Sequence, residues 1–399
     1  MPVFRALLAA VILVAASLSR VAYSDDLQNS GRRDPVAILR QFKLVSRGSG
    51  WASTGPPENG RESSRLYWTD DNGQTWRDIT PHGMLAPREG LIFFLNRWRG
   101  WVLSTDDDEH LERAHFYLFS TIDGARHWRS LMLQRPKFMD DGNDNFLPTQ
   151  IYFSDPQHGW ILWRYDFTHS SRYALLGTND GGHTWKPLPE PPGAGPVLFV
   201  TSRGGWMIGG MGDDGVGAPG DTQLWRTIDG GQKWSPIAIP IPKNSAEQGF
   251  YLIALKFLNM QEGMVAAGLQ DMQGGATVGF LSCRTEDGGK TWRFSQFRAL
   301  SAMPSIGAKH VFWSVDRHVQ MENQAIPLTS PVGGSLAGDF LELDFLDDLD
   351  AWIEYREGQG PRFMVIATID GGKTSRLIWP PVRLRESTKT PESSKLSRP

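Results

Sequence analysis

One short phrase returns six times along the chain: LYWTDDNGQTW (66–76), LFSTIDGARHW (118–128), LLGTNDGGHTW (175–185), LWRTIDGGQKW (224–234), LSCRTEDGGKTW (281–292) and IATIDGGKTS (366–375). Superposed, the copies read Thr-x-Asp-x-Gly-x-Thr-Trp, and each is called a box below. Repetition on this scale asks for one structural unit per copy, each burying the face that its neighbour leaves open. The fold is therefore expected to be a ring of repeated β-sheets, with function on its loops.

A second phrase precedes each box: FKLVSRGSGW (42–51), FFLNRWRGW (93–101), IYFSDPQHGW (151–160), VLFVTSRGGW (197–206), LKFLNMQEGM (255–264) and LDFLDDLDAW (343–352). An apolar β-prone run, a polar turn, and a small residue before a large apolar one predict two strands joined by a tight hairpin. The box predicts a second hairpin, whose first strand ends at the Thr and whose second starts at the Trp. Between them the Asp carboxylate can accept turn N–H groups, the Gly can take a positive φ, and the Trp can bury its ring against the next sheet. Four strands per unit is the pattern of a β-propeller, an all-β fold. The structural residues so assigned are Asp71, Gly73, Trp76, Asp123 and Trp128 in the first two boxes. Asp180, Gly182, Trp185, Asp229, Gly231 and Trp234 follow, then Asp287, Gly289, Trp292, Asp370 and Gly372.

The box tryptophans are 52, 57, 49 and 58 residues apart, but Ser375 follows Trp292 only after 83. That gap is too long for one blade. Residues 295–342, with HVFWSV at 310–315, are expected to hold a seventh blade without either phrase; six blades and a long insertion is the alternative.

The boxes resemble the Asp-box, or BNR, repeat family, with consensus Ser/Thr-x-Asp-x-Gly-x-Thr-Trp. Boxes one, three and five fit fully; box two departs at Ala125 and His127, box four at Lys233 and box six at Ser375. The resemblance spans most of residues 36–380 and implies a propeller. It is silent on activity, because the family includes sialidases, other glycosidases, sortilin-type receptors and photosystem II assembly-factor-like propellers. The dense GW and DGG-x-TW repeats look most like the last branch.

Arg5, the apolar stretch Ala6 to Leu18 and the small-residue exit Ala22-Tyr23-Ser24 predict a signal peptide over 1–24 and an exported, periplasmic or extracellular protein. Residues 25–35 are an N-terminal extension, 36–382 the propeller, and 383–399 a polar, Pro/Ser-rich tail expected to be disordered. A net charge of −3 offers no general field for a phosphate backbone, so nucleic acid is not an expected partner. Cys283 is the only cysteine; it reads as a packing thiol.

Calling the strands of a blade A to D outward, the A–B turns and the boxes share one face. The longer B–C and D–A connections share the other, which is assigned the binding role. There TDDDEHLER (105–113) is acidic, and MDDGNDNF (139–146) offers Asp141, Asn143 and Asn145 as oxygen ligands. Without the Gly and distal Glu of an EF-hand loop, it reads as a solvated acidic loop. GGMGDDGVGAPGD (209–221), with Asp213, Asp214 and Asp221, reads as a surface loop.

A sialidase would need three arginines clamping a carboxylate, a Tyr nucleophile with a Glu partner, and an Asp acid/base. The expected Arg-Ile-Pro phrase is absent, its nearest analogue being Leu39-Arg40-Gln41. Arg61, Arg65, Arg113, Arg164 and Arg172, and the run Tyr355-Arg356-Glu357, supply residue types without an evident constellation. The favoured expectation is thus a non-catalytic, monomeric scaffold with no cofactor or metal, binding an envelope or membrane protein. A sialidase-like glycoside hydrolase, or a glycan receptor using Trp98 or Trp163, is the alternative.

Overall fold

The computed structural model describes residues 38–385 except 56–63, 86–90, 106–114, 134–144, 167–170, 194, 211–221, 241–247, 272–275, 300, 316–317, 322–323, 337–338, 357–362 and 380–383. Twenty-eight of its strands make seven four-stranded antiparallel blades, the count that the long fifth gap predicts. Blade 1 comprises β1 (Ile38–Ser46), β2 (Ser49–Gly55), β3 (Arg65–Thr69) and β4 (Trp76–Asp78). Blade 2 comprises β5 (Ile92–Phe94), β6 (Gly100–Thr105), β7 (Phe116–Thr121) and β8 (Arg129–Leu133). Blade 3 comprises β9 (Asn145–Phe153), β10 (Gly159–Asp166), β11 (Ser171–Thr178) and β12 (Lys186–Pro187). Blade 4 comprises β13 (Val197–Phe199), β14 (Gly205–Gly209), β15 (Gln223–Thr227) and β16 (Ser235–Ile237). Blade 5 comprises β17 (Gln248–Phe257), β18 (Gly263–Asp271), β19 (Thr277–Thr285) and β20 (Arg293–Phe297). Blade 6 comprises β21 (Met303–Ile306), β22 (Val311–Val315), β23 (His318–Met321) and β24 (Gln324–Ile326). Blade 7 comprises β25 (Asp339–Phe345), β26 (Ala351–Arg356), β27 (Phe363–Thr368) and β28 (Arg376–Trp379).

The core lies between blades, and the Gly-Trp phrase is its device. Trp101 stacks on Phe153 at 3.6 Å, Trp160 on Phe199 at 3.6 Å, and Trp206 on Phe257 at 3.8 Å, all within 8° of parallel. In each pair a B-strand indole covers the phenyl ring on the A strand of the next blade. That phenyl ring lies over the B-strand Gly of its own blade: Phe153 over Gly159, Phe199 over Gly205, Phe257 over Gly263. A Cβ at any of these glycines would overlap the ring, so the small residue makes room for the next junction.

Blade 6 keeps the stack without the phrase. Phe312 lies on Phe345 of blade 7 at 3.7 Å and 2°. Its neighbour Trp313 faces the other way, 5.1 Å from Phe280 of blade 5, and donates its indole N–H to Ser282 Oγ at 3.1 Å. Blade 5 carries Met264 where the other box-bearing blades have Trp, and Trp313 supplies the missing ring from the far side of that junction.

The first strand of every box hairpin ends at the box Thr as expected, but only β4 starts at the Trp; β8, β12, β16, β20 and β28 start one residue later. In blades 3 and 5 the Trp185 and Trp292 indoles donate back into their own turns, to Gly182 O and Gly289 O, both at 3.2 Å. Cys283 is buried in β19, which pushes its thiol up to about 12.

Blades 1 and 7 are each continuous, so side chains close the ring. The buried Asp344 carboxylate accepts from the Lys43 amine and from Leu44 N. The Trp76 indole donates to Ile378 O at 3.1 Å and the Trp352 indole to Asn72 Oδ1 at 2.9 Å. A further strand, β29 (Leu384–Arg385), pairs parallel to β4 on the outer edge of blade 1. Two residues of the expected tail are thus in a sheet. The expected signal peptide and N-terminal extension lie outside the described residues.

Candidate functional site on the box face

Because each blade runs down, up, down and up, its A–B turn and its box emerge at the same end. They are hydrogen-bonded to each other in all six box-bearing blades. Asn72 N donates to Gly48 O at 2.7 Å, and Gly124 N to Trp98 O at 2.9 Å. Gly181 N donates to Gln157 O, Gly230 N to Arg203 O, and Gly288 N to Gln261 O, each at 2.8 Å; Gly371 N reaches Leu349 O at 3.0 Å. These bonds turn one face of the ring into a stiff platform.

Box three shows how the turn is held. Asp180 Oδ1 accepts from Thr178 Oγ1 at 2.8 Å and from His183 N and Thr184 N at 2.9 Å, while its Oδ2 accepts from Thr184 Oγ1 at 2.6 Å. Thr178 Oγ1 accepts in turn from Gly182 N at 3.0 Å. Gly182 has φ +92°, a conformation that a Cβ would strain. Box two meets the same demand with Ala125 at φ +63° and replaces the Thr hydroxyl with His127, whose Nδ1 lies 2.7 Å from Asp123 Oδ2. Ser375 replaces the last Trp, and its hydroxyl donates to Thr329 O of the preceding connection.

All six box carboxylates have depressed pKa values. For Asp287 the Thr291 hydroxyl is the largest cause, followed by the Thr291 N–H, and the value falls to about 2. At Asp123 burial pushes upward, but donors on His127 and Thr121 outweigh it and bring the value to about 2. Asp71, Asp180, Asp229 and Asp370 shift the same way. Carboxylates held ionised by their own turns are poorly suited to donate a proton.

Inner strands carry the other notable charges. The Lys256 amine donates to Ile306 O at 2.8 Å, Leu346 O at 2.9 Å and Phe345 O at 3.3 Å, so its three donors brace blade 5 against blades 6 and 7. Burial, then the nearby Lys43 charge, lowers it to about 8. Burial also works against the Lys43 charge, but Asp344 beside it raises that amine above its ordinary value. Both lysines are used in holding the ring.

The outermost side chains of the platform differ in kind. At the position after the box Thr stand Asp70, Ile122, Asn179, Ile228, Glu286 and Ile369. All are exposed; Ile122 is 70% and Ile228 67% accessible. Trp98, Leu258 and Leu349 are exposed on A–B turns of the same face, and the Arg97 guanidinium sits 4.8 Å over the Trp98 ring. Exposed cations stand among them: Arg47, Arg97, Arg203 and Lys309 on A–B turns, and Arg126, Lys233, Lys290 and Lys373 on boxes. The sequence signal for this surface was an isoleucine in a turn position that other copies fill with Asp, Asn or Glu.

No protein-family model matches the chain, and no curated protein matches it. Solved structures do. The chain is similar to YCF48 bound to a D1 peptide, at 16% identity over 87% of this chain and 88% of that one, with a TM-score of 0.43. It is similar to the GH74 xyloglucanase from Xanthomonas campestris, at 15% identity and TM-score 0.44 over 82% of this chain and 58% of that one. It is also similar to the Penicillium chrysogenum alpha-L-arabinanase complexed with arabinobiose, at 10% identity and TM-score 0.40 over 85% and 94%.

The described residues among those considered for catalysis are dispersed. Arg65 pairs with Asp78 at 3.2 Å in blade 1, Arg164 stands in β10 of blade 3, and Arg356 pairs with Asp339 at 2.9 Å in blade 7. Tyr355 is buried, its hydroxyl 3.9 Å from the Met364 sulfur. Arg40 lies in β1 and Arg172 in β11. Asn145 opens β9 opposite Asp166, in a strand rather than a ligand loop. Trp163 is buried edge-on to Phe116 at 4.9 Å, whereas Trp98 is exposed. Arg61, Arg113, Asp141, Asn143, Asp213, Asp214, Asp221 and Glu357 lie outside the described residues. Among the described residues, no group of three or more His, Cys, Asp or Glu side chains is placed to hold a metal ion.

Proposed function

We propose that the chain is an exported, non-catalytic scaffold that holds a protein partner of the cell envelope. The observation that carries this reading is the commitment of the described polar groups to the ring itself. Box carboxylates hold their own turns, Lys43 and Lys256 join blades, and Arg65 and Arg356 pair within their own blades. Such a ring is a rigid support of the kind on which binding loops collect.

Co-purification tests it. Tagged protein recovered from the envelope fraction of its host after mild cross-linking is expected to bring down one partner at near-equal stoichiometry. A clean preparation, together with release of fluorophore from aryl glycosides or sialosides, would replace the scaffold with a hydrolase.

A further inference from the structure

We propose that Asn72 is a site of spontaneous deamidation that closure of the propeller holds off, so that isoaspartate at this position marks chains whose seam has stood open. This goes beyond the scaffold reading and stands or falls without it.

Asn72 departs from the other boxes. The residue after the box Asp is Gly124, Gly181, Gly230, Gly288 or Gly371 in boxes two to six, each with φ between +73° and +79°. Box one takes a similar conformation with Asn72, at φ +56°. Asn is one of the few side chains that tolerate it, yet the turn does not require one. What the side chain adds is an acceptor between blades 7 and 1. Elsewhere a B-strand indole donates to the main chain of the next box: Trp101 to Gly181 O at 3.0 Å and Trp160 to Gly230 O at 3.1 Å. Trp352, the equivalent indole of blade 7, donates instead to Asn72 Oδ1 at 2.9 Å, and the Arg376 guanidinium donates to Asn72 O. Blade 7 thus holds both the side chain and the main chain of Asn72.

The following residue supplies the reaction. Gly73 has no Cβ to keep its nitrogen from the Asn72 side chain, and among the described residues no other Asn precedes a Gly. Gly73 N gives up its proton to hydroxide and attacks Asn72 Cγ. A C–N bond forms to close a cyclic imide, the carboxamide C–N bond breaks, and the amide nitrogen leaves as ammonia. Water then opens the imide. Attack at the former side-chain carbonyl gives aspartate; attack at the main-chain carbonyl gives isoaspartate, whose backbone runs through the former side chain.

A closed seam withholds both reacting groups. The Trp352 indole holds the carboxamide toward blade 7, while Gly73 N donates to Thr69 Oγ1 at 2.9 Å inside its own box. Gly73 is buried against Ile378 of blade 7, so forming the imide requires blade 7 to move away. Chemistry confined to an opened state runs at its intrinsic rate multiplied by the open fraction. The two products then differ. Isoaspartate adds a main-chain carbon to a turn fixed by Asn72 N to Gly48 O at 2.7 Å and by Gly73 N to Thr69 Oγ1, so the turn no longer fits. Aspartate leaves the backbone unchanged and still offers an oxygen to Trp352.

Peptide mapping by mass spectrometry, with isoaspartyl and aspartyl forms separated, tests the proposal on the intact chain at mildly alkaline pH. Asn72 is expected to convert about tenfold or more slowly in the folded protein than in urea. Asn59, which also precedes Gly, should match Asn72 in urea and so calibrates the chemistry. Trp352→Phe keeps a ring and removes the donor; Asp344→Asn weakens closure without touching box one. Each should raise the folded-state rate at Asn72 several-fold. Equal rates in folded and unfolded protein overturn the proposal, and unchanged rates in both variants assign the protection to the box turn alone. If neither variant folds, wild type in urea below its unfolding midpoint decides: a rate that climbs with urea supports opening at the seam, and a flat one refutes it. Isoaspartyl protein isolated by ion exchange should melt below Asn72→Asp; equal midpoints would sink the claim that isoaspartate marks an opened seam.

Discussion

Blades 3 and 6 do the same work with different residues. In blade 3, Trp160 covers Phe199 of the next blade, and Asp155 holds its own A–B turn through Gln157 N and His158 N. In blade 6, Phe312 covers Phe345 with equal closeness. Its A–B turn is held from the neighbouring blade, where Asp348 accepts from Ala308 N, Lys309 N, His310 N and the His310 ring. The junctions that follow blades 3 and 6 thus share a flat pair of rings and an acceptor for the turn, and blade 6 achieves both with neither a Trp nor a local Asp.

The strongest challenge to that equivalence is loss of the ring. Trp160→Ala and Phe312→Ala should each cost about 3–5 kcal/mol in denaturant unfolding; a much smaller loss for Phe312→Ala would reduce blade 6 to a passive insert. Next in size, Asp348→Ala strips the acceptor from three N–H groups of another blade and should cost about 1–3 kcal/mol. Asp155→Ala should cost less, since its turn is open to water, and equal losses would dissolve the distinction. Within the box-bearing blades, Ala125→Gly relieves a positive φ and should stabilise by about 0.4–1 kcal/mol; the thermal midpoint reports its sign. The smallest effect is that of acid. Box carboxylates have folded pKa values below the ordinary range, so their contribution is complete above about pH 4 and is lost as pH falls through about 2. Solvent screens these exposed groups, so the midpoint should decline gradually with acid rather than collapse.

Much of the ring could be read from the chain. The box spells out its turn because the hydroxyl, carboxylate and glycine each meet a backbone need within eight residues. Blade 6 was visible only as an excess of length, since Phe312 and Trp313 carry the packing without a recurring phrase and Asp348 acts from 40 residues away. β29 could not be read at all: its pairing is made by backbone atoms, and Leu384-Arg385 opens a polar tail. For the surface, Ile122, Ile228 and Ile369 were in plain sight as the variable letter of the box. Their meaning depends on exposure, which a repeat pattern does not report. The same limit applies to Trp98 and Trp163, alike in sequence terms and opposite in burial.

Asp344 accepts from Lys43 and Leu44 across some 300 residues of chain. A nascent polypeptide therefore makes one half of this clasp near the beginning of synthesis and the other near the end. Contacts of such separation form late, after the intervening blades have ordered. A product that stops short of residue 344 has no closing acceptor, and its first and last sheets each keep an apolar face in water. The clasp thereby serves as an inspection step: only a finished chain passes, and an unfinished one displays the sticky surfaces by which proteases and chaperones recognise failure.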